Sequence, residues 1–147
     1  FIWITIVMAI SLSVYISFAI DLPISQNLLI REIGVGVLLL GIGVRLSVVF
    51  ALGKFFTVDV TIRKDHQLKT DGFYKYLRHP SYSASLLSFV GMALTLNNWL
   101  SMVLLLSAVF FAFAKRVQIE EEALLQHFGQ AYLDYQKTTF RMIPFVY

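Results

Sequence analysis

The chain has 147 residues, a length that suits one domain. It is 58% hydrophobic and 14% charged, where an ordinary soluble domain carries about 25% charged residues, and its mean hydropathy is +0.73. That composition excludes a soluble globular protein, and the absence of cysteine excludes disulfides and thiolate chemistry. The net charge of +3 matters less than its placement, and nucleic acid is not an expected partner.

The pattern predicts an all-α, polytopic membrane bundle forming a single domain over residues 1–147, with about four transmembrane helices. The chain opens at Phe1 rather than at a methionine, so its native start is expected upstream. Residues 1–20 carry no charge, basic leader or clear small-residue cleavage site, and they read as a span rather than a signal peptide. A polar turn, Asp21 to Gln26 with Pro23, separates them from a second span at 33–52. Within it Gly34, Gly36, Gly41 and Gly43 recur at seven-residue spacing, a smooth stripe suited to close helix packing. No strand precedes them and the dinucleotide-loop spacing is absent. Arg45 is the one charge in this span, either snorkelling to the interface or serving a structural or binding role.

A polar connector covers 53–80. Spans at 81–96 and 99–114 follow, joined by Asn97-Asn98 as a tight helical hairpin whose short legs either tilt little or continue past the bilayer, and residues 115–147 are polar again. Lys54, Arg63, Lys64, Lys69, Lys75 and Arg78 follow span two, and Lys115, Arg116, Lys137 and Arg141 follow span four, with only Arg31 on the opposite side. The positive-inside rule therefore puts both termini and the 53–80 segment in the cytoplasm.

Beyond span four an amphipathic helix is expected, with Leu125, Phe128, Tyr132 and Tyr135 on one face and Gly129 as a weak point. Lys115 and Arg116 stand near one turn before Glu120, a pairing distance. Glu120, Glu121 and Glu122 sit about 100° apart around the axis and cannot face one way. Acidic groups at a membrane surface need cationic partners or a ligand. In "GFYKYLRHPSYSASLL" His79 precedes Pro80, so a helix starts near Pro80. The amides of Ser81 and its neighbours, with Arg78 and His79 beside them, would favour an anion such as a carboxylate. Tyr74, Tyr76 and Tyr82 offer aromatic faces to a cation, or form an interfacial belt.

Together, "LGKFFT", "HQLKTDGFYKYLRHPSY" and "RVQIEEEALLQHFGQAYLDYQK" resemble the isoprenylcysteine carboxyl methyltransferase family of integral-membrane methyltransferases, in order and at matching separations over about 41–145. The specific positions are Gly72, Tyr74, Arg78, His79, Pro80 and Tyr82, then Arg116, Glu120, Glu121, Phe128, Gly129, Tyr132 and Tyr135. The resemblance implies S-adenosylmethionine as methyl donor, with S-adenosylhomocysteine as product. It implies cofactor contacts from Gly72, Tyr74, Leu77, Arg78, His79, Pro80, Tyr82 and Glu120, with Glu120 and Glu121 at the reacting end. The chain is short, as bacterial or archaeal inner-membrane members of the family are.

A carboxylate acceptor, ionised at neutral pH, needs aiming rather than a general base, and Arg116, Arg141 and Arg45 are candidates to orient it. An amine acceptor would need a base, for which Glu121 or His127 could serve, although His127 reads first as surface packing. The histidines lack metal-ligand spacing, and no metal is expected. The leading expectation is O-methylation of an isoprenylcysteine-type carboxylate on a lipidic or prenylated substrate drawn from the membrane. A phospholipid or amine N-methyltransferase and a non-catalytic small membrane protein remain as alternatives.

Overall fold

A computed structural model describes residues 2–52 and 68–146. Lys54, Arg63 and Lys64, and most of the "LGKFFT" motif, lie outside the described residues. The described residues form helices α1 (Ile2–Ala19), α2 (Leu29–Leu52), α3 (Pro80–Leu96), α4 (Trp99–Phe128) and α5 (Gln130–Thr138), with a short 3-10 turn at Gly72–Lys75. The main packing pairs are α1 on α4, α4 on α3 and α3 on α2, so the helices stand in the order α1, α4, α3, α2.

Three of them, α1, α2 and α4, are long and apolar enough to cross a membrane. The remaining expected span, α3, is shorter, with 17 residues or about 25 Å of helix, and stands between α2 and α4. Large apolar side chains such as Trp3, Phe18, Leu39, Phe50 and Phe111 are exposed, as lipid-facing positions are. The protein is an integral membrane protein.

The second helix starts at Leu29, four residues before the expected position. The signal is Asn27, whose side-chain oxygen accepts from the Leu29 amide at 3.0 Å and so lets the helix begin ahead of the charged Arg31 and Glu32. Only half of the glycine stripe is a packing surface. A Cβ on Gly34 or Gly41 would lie 2.5 Å from the backbone nitrogen of Thr95 or Ser88 on α3, whereas Gly36 and Gly43 face open space. The two backbones meet where side chains are missing.

Asn97 and Asn98 make the expected turn and also bind the α1–α2 loop. Asn97 takes the left-handed conformation, accepts from the Ser25 amide at 3.0 Å and donates to the Ser25 carbonyl at 2.9 Å. Asn98 caps α4 through the Ser101 amide at 3.0 Å and donates to the Ile20 carbonyl at 2.6 Å.

From there α4 runs unbroken for 30 residues, so the span at 99–114 continues past Lys115 into the amphipathic stretch as one helix. A helix's own hydrogen-bond ladder does not depend on whether its surroundings are lipid or water, so nothing breaks it at Lys115. The break comes at Gly129, with φ +54, and it divides the expected apolar face. Tyr132 and Tyr135 are buried, while Leu125 is 37% exposed. The chain then returns: Phe140 forms a parallel bridge with Leu77, and Met142 enters the core beside Ile6, Val109, Phe113 and Val117.

Candidate functional site

The site forms where the start of α3, the polar extension of α4 and the returning C-terminal segment meet. Three backbone hydrogen bonds hold the junction: Phe140 N–H to the Tyr76 carbonyl at 3.0 Å, Arg78 N–H to the Phe140 carbonyl at 2.8 Å, and His79 N–H to the Arg141 carbonyl at 3.0 Å. They leave fewer free amides at the α3 terminus than the sequence suggests. The Tyr82 and Ser83 amides both donate to the His79 carbonyl, at 3.1 and 3.2 Å, and Pro80 has no N–H. At most the Ser81 amide is left for an anion, so the helix terminus alone is a weaker anion site than expected.

The side chains compensate. The imidazole of His79, 6% exposed, lies between two carboxylates, with Nδ1 3.5 Å from Glu120 Oε2 and Nε2 3.4 Å from Glu121 Oε1. The second contact is an ion-pair distance without hydrogen-bond geometry. Glu120 Oε1 accepts from Tyr82 Oη at 2.6 Å and from Arg116 Nε at 2.9 Å. Glu121 Oε1 accepts from Arg78 Nε at 2.7 Å, and its Oε2 lies 2.8 Å from Arg141 Nε. The three glutamates separate as their spacing requires: Glu121 is buried, Glu120 half-buried and Glu122 exposed.

The polar extension of α4 follows its uncharged stretch, and His79 precedes the first residue of α3. Burial opposes the negative charge on Glu121, but His79 and Arg78 beside it prevail and hold its carboxyl at about 2. Glu120 is likewise held low, burial being outweighed by His79, Tyr82 and Arg116. Burial also opposes a charge on His79, yet the flanking Glu120 and Glu121 raise its pKa above the ordinary value. The result is a compact charged cluster in which three guanidinium groups and an imidazole surround two carboxylates.

Of the residues singled out in the sequence, Arg78, His79, Tyr82, Arg116, Glu120, Glu121 and Arg141 come together here. Pro80 is buried as the first residue of α3. Arg78 is committed to protein: beyond Glu121 it donates to the Gln136 carbonyl at 3.2 Å and to the Thr139 carbonyl and hydroxyl. Tyr74 joins through its backbone, whose carbonyl accepts from Tyr135 Oη at 2.5 Å; burial first, then the Glu120 charge, push its phenol up to about 12. Leu77 contributes the bridge to Phe140. Gly72 is exposed, with φ +58 and open space around it. His127 is exposed with its ring edge-on to Phe128, as surface packing predicts. Among the described residues no acidic or histidine group suited to a metal is present.

Arg45 stands apart from the cluster. It lines a hollow of about 230 Å³ between α2 and α3 with Leu38, Ile42, Ser85, Ser88, Phe89 and Met92. Its hydrogen-bond partner there is the Ser85 hydroxyl. The Thr139–Met142 return that closes the site has no signal in the sequence, since so short a stretch shows no periodicity.

Residues 29–131 match the family model described as phospholipid methyltransferase. Protein-S-isoprenylcysteine O-methyltransferase B of Arabidopsis thaliana is 34% identical over 142 residues, covering 95% of this chain and 72% of the relative. The Schizosaccharomyces pombe protein-S-isoprenylcysteine O-methyltransferase is 35% identical over 113 residues, 76% of this chain and 48% of its own. A solved structure of a eukaryotic intramembrane Ras methyltransferase, an isoprenylcysteine carboxyl methyltransferase, superposes with a TM-score of 0.74 at 35% identity, covering 80% of this chain and 43% of that one. With both motif blocks meeting in one charged cluster and likeness of this extent, the chain belongs to the isoprenylcysteine carboxyl methyltransferase family of membrane methyltransferases.

Proposed function

We propose that the protein transfers a methyl group from S-adenosylmethionine to the carboxylate of a lipidic, isoprenylcysteine-type substrate, releasing S-adenosylhomocysteine. The observation that carries the acceptor class is Arg45. A cation in a membrane-embedded hollow is costly unless it is paired. Here its hydrogen-bond partner among the described residues is a neutral hydroxyl, and the other lining groups include Leu38, Ile42, Phe89 and Met92. A prenyl tail with an anionic head matches the chemistry of both parts of that lining. The names of the relatives, isoprenylcysteine O-methyltransferases, support the same substrate class.

The charged cluster suits the donor. Glu120 and Glu121 are ionised at neutral pH and can hold an ammonium or face a sulfonium. The Tyr82 ring lies beside His79, 6.0 Å between centroids, and offers a π-face. His79 Nε2 is buried without a well-formed hydrogen bond among the described residues, and so can meet a polar ligand atom. When bound, S-adenosylmethionine supplies an electrophilic methyl group. Arg116 lies one turn nearer the bilayer than Glu120, where an acceptor rising from the membrane meets the cluster, and with Arg45 it would orient the acceptor carboxylate. Arg141, on Glu121, is the third candidate. A carboxylate is already a nucleophile at neutral pH, so the residues need to aim it and exclude water rather than remove a proton. The distribution of lysine and arginine supports a cytoplasmic site.

A second reading, methylation of a phospholipid amine, is favoured by the description of the matching family model. Purified protein in nanodiscs, given methyl-labelled S-adenosylmethionine and N-acetyl-farnesylcysteine, should form a base-labile methyl ester, and Arg45→Gln should diminish it strongly. Label appearing instead in a base-stable phospholipid amine would overturn the carboxylate reading in favour of the second.

A further inference from the structure

We infer that Tyr132 is a further ligand-binding residue, whose phenol donates to a carboxylate oxygen of a ligand bound beside Glu121. The inference rests on the methyltransferase reading above, in which both the methyl donor and the acceptor carry a carboxylate.

The side chain of Tyr132 is 1% exposed, yet its hydroxyl has no hydrogen-bond partner among the described residues. Buried hydroxyls are almost always paired, because the bond to water lost on burial must be replaced. Its neighbour Tyr135 obeys that rule by donating to the Tyr74 carbonyl at 2.5 Å, while the two rings lie 6.1 Å apart. One tyrosine of the pair therefore ties the site together and the other leaves its donor unused. A phenylalanine would fill the Tyr132 space without that cost, so packing does not account for the hydroxyl.

The position of Tyr132 is set by the break at Gly129, whose carbonyl accepts from the Tyr132 amide at 3.2 Å. This turns the first residues of α5 back toward Glu121. Burial, and then the negative charge of Glu121, raise the phenol's pKa, so it remains a proton donor across the physiological range. The Glu121 carboxylate is within reach of the phenol and contributes to that rise, but the contact lacks hydrogen-bond geometry. Its oxygens already face two guanidinium groups, Oε1 accepting from Arg78 at 2.7 Å and Oε2 lying 2.8 Å from Arg141. A missing acceptor next to two guanidinium groups is best supplied by an anionic oxygen, and a carboxylate is the group both substrates bring.

Tyr132→Phe separates this role from a structural one. Purified variant and wild type would be compared by thermal unfolding, and by calorimetric titration with S-adenosylhomocysteine and, separately, with N-acetyl-farnesylcysteine. We expect the unfolding temperature to stay level or rise, since an unpaired buried donor is removed, while affinity for one of the two ligands falls about tenfold, as for a lost hydrogen bond to a charged group. The arm that moves identifies whose carboxylate Tyr132 meets. Unchanged affinity in both arms overturns the inference and leaves at most a bound water at the hydroxyl. A fall in unfolding temperature also overturns it, because the hydroxyl would then have a structural partner. Wild-type protein that binds neither ligand fails the methyltransferase reading itself, and the inference with it, a result distinct from failure of the variant alone.

Discussion

Glu121 is where the cluster is most exposed to a single change. Replacing it by glutamine keeps the shape and removes the charge that Arg78, His79 and Arg141 share. Its carboxyl is held at about 2, against an ordinary 4.5. At about 1.4 kcal/mol per pKa unit, that difference amounts to about 3 kcal/mol of stability at neutral pH. Removing one partner of a buried ion pair typically costs about 3–5 kcal/mol, a range consistent with it. For a chain of this size the fall in unfolding temperature is on the order of 10 °C. The sign with pH follows from a depressed folded pKa. The contribution is complete above about 4.5 and is lost as pH falls through that value toward about 2. Thermal unfolding of wild type and Glu121→Gln in detergent, across pH 3 to 8, should show a gap that is widest at neutral pH and closes on acidification. A gap of the same size at pH 3 and pH 7, or none at pH 7, would refute the claim that the Glu121 charge stabilises this junction.

The other expectations follow from neighbouring contacts. His79, raised above its ordinary 6.5, should titrate later than an exposed histidine in an imidazole NMR experiment, and Glu120→Gln should lower its midpoint; the stability it contributes is complete below about 6.5 and is lost as pH rises through the folded value. Gly41→Ala places a methyl 2.5 Å from the Ser88 amide nitrogen and should destabilise the α2–α3 pair by about 1–3 kcal/mol, whereas Gly43→Ala, facing open space, should be close to neutral in the same unfolding assay. Arg78→Lys keeps the charge but cannot reach Glu121 and the Gln136 and Thr139 carbonyls together, so hydrogen exchange at the Phe140 and His79 amides should accelerate. Unchanged exchange there would mean the C-terminal return does not depend on that side chain.

Much of this arrangement is legible in the residues. Apolar runs locate the helices because a membrane-spanning segment must be both long and uncharged. Asn97-Asn98 announces the hairpin because both residues suit turn and cap positions. The two motif blocks name six side chains that do converge, with Arg141 beyond them as a seventh, and the i, i+4 spacing of Arg116 and Glu120 already implies their pairing. What escapes the sequence has a physical reason in each case. The polar composition after Lys115 suggests a new element, but a helix can cross from lipid to water without interruption, so α4 continues. The early start of α2 depends on one cap, Asn27, within a stretch that otherwise reads as loop. The return of Thr139 to Met142 rests on three backbone hydrogen bonds and one buried methionine, none of which leaves a periodic trace. The free hydroxyl of Tyr132 is a property of three-dimensional pairing, and a tyrosine in a sequence gives no sign of whether its donor is used.

The helix that joins these parts is α3, the shortest of the membrane helices. Tyr82, in its first turn, reaches Glu120 on α4, and Ser85, three residues on, meets Arg45 of α2. One wall thus carries the charged cluster toward α4 and the α2–α3 hollow toward the other neighbour, with less than a turn of helix between the two contacts. Close packing at Gly34, Gly41 and Gly91 fixes α2 against α3, so the position of Arg45 relative to Ser85 is set by backbone contact rather than by flexible side chains. On the proposed reading this solves the central problem of a reaction between a water-soluble donor and a lipid-borne acceptor. Each reactant stays in the medium it prefers, and only the acceptor's head group has to pass the first turn of α3. A bulkier residue at Gly41 or Gly91 would separate α2 from α3 and displace Arg45 while leaving Glu120, Glu121 and His79 untouched. Such a variant should lose affinity for the prenylated acceptor and retain affinity for S-adenosylhomocysteine. Parallel loss of both would argue that the hollow and the cluster are not separate subsites.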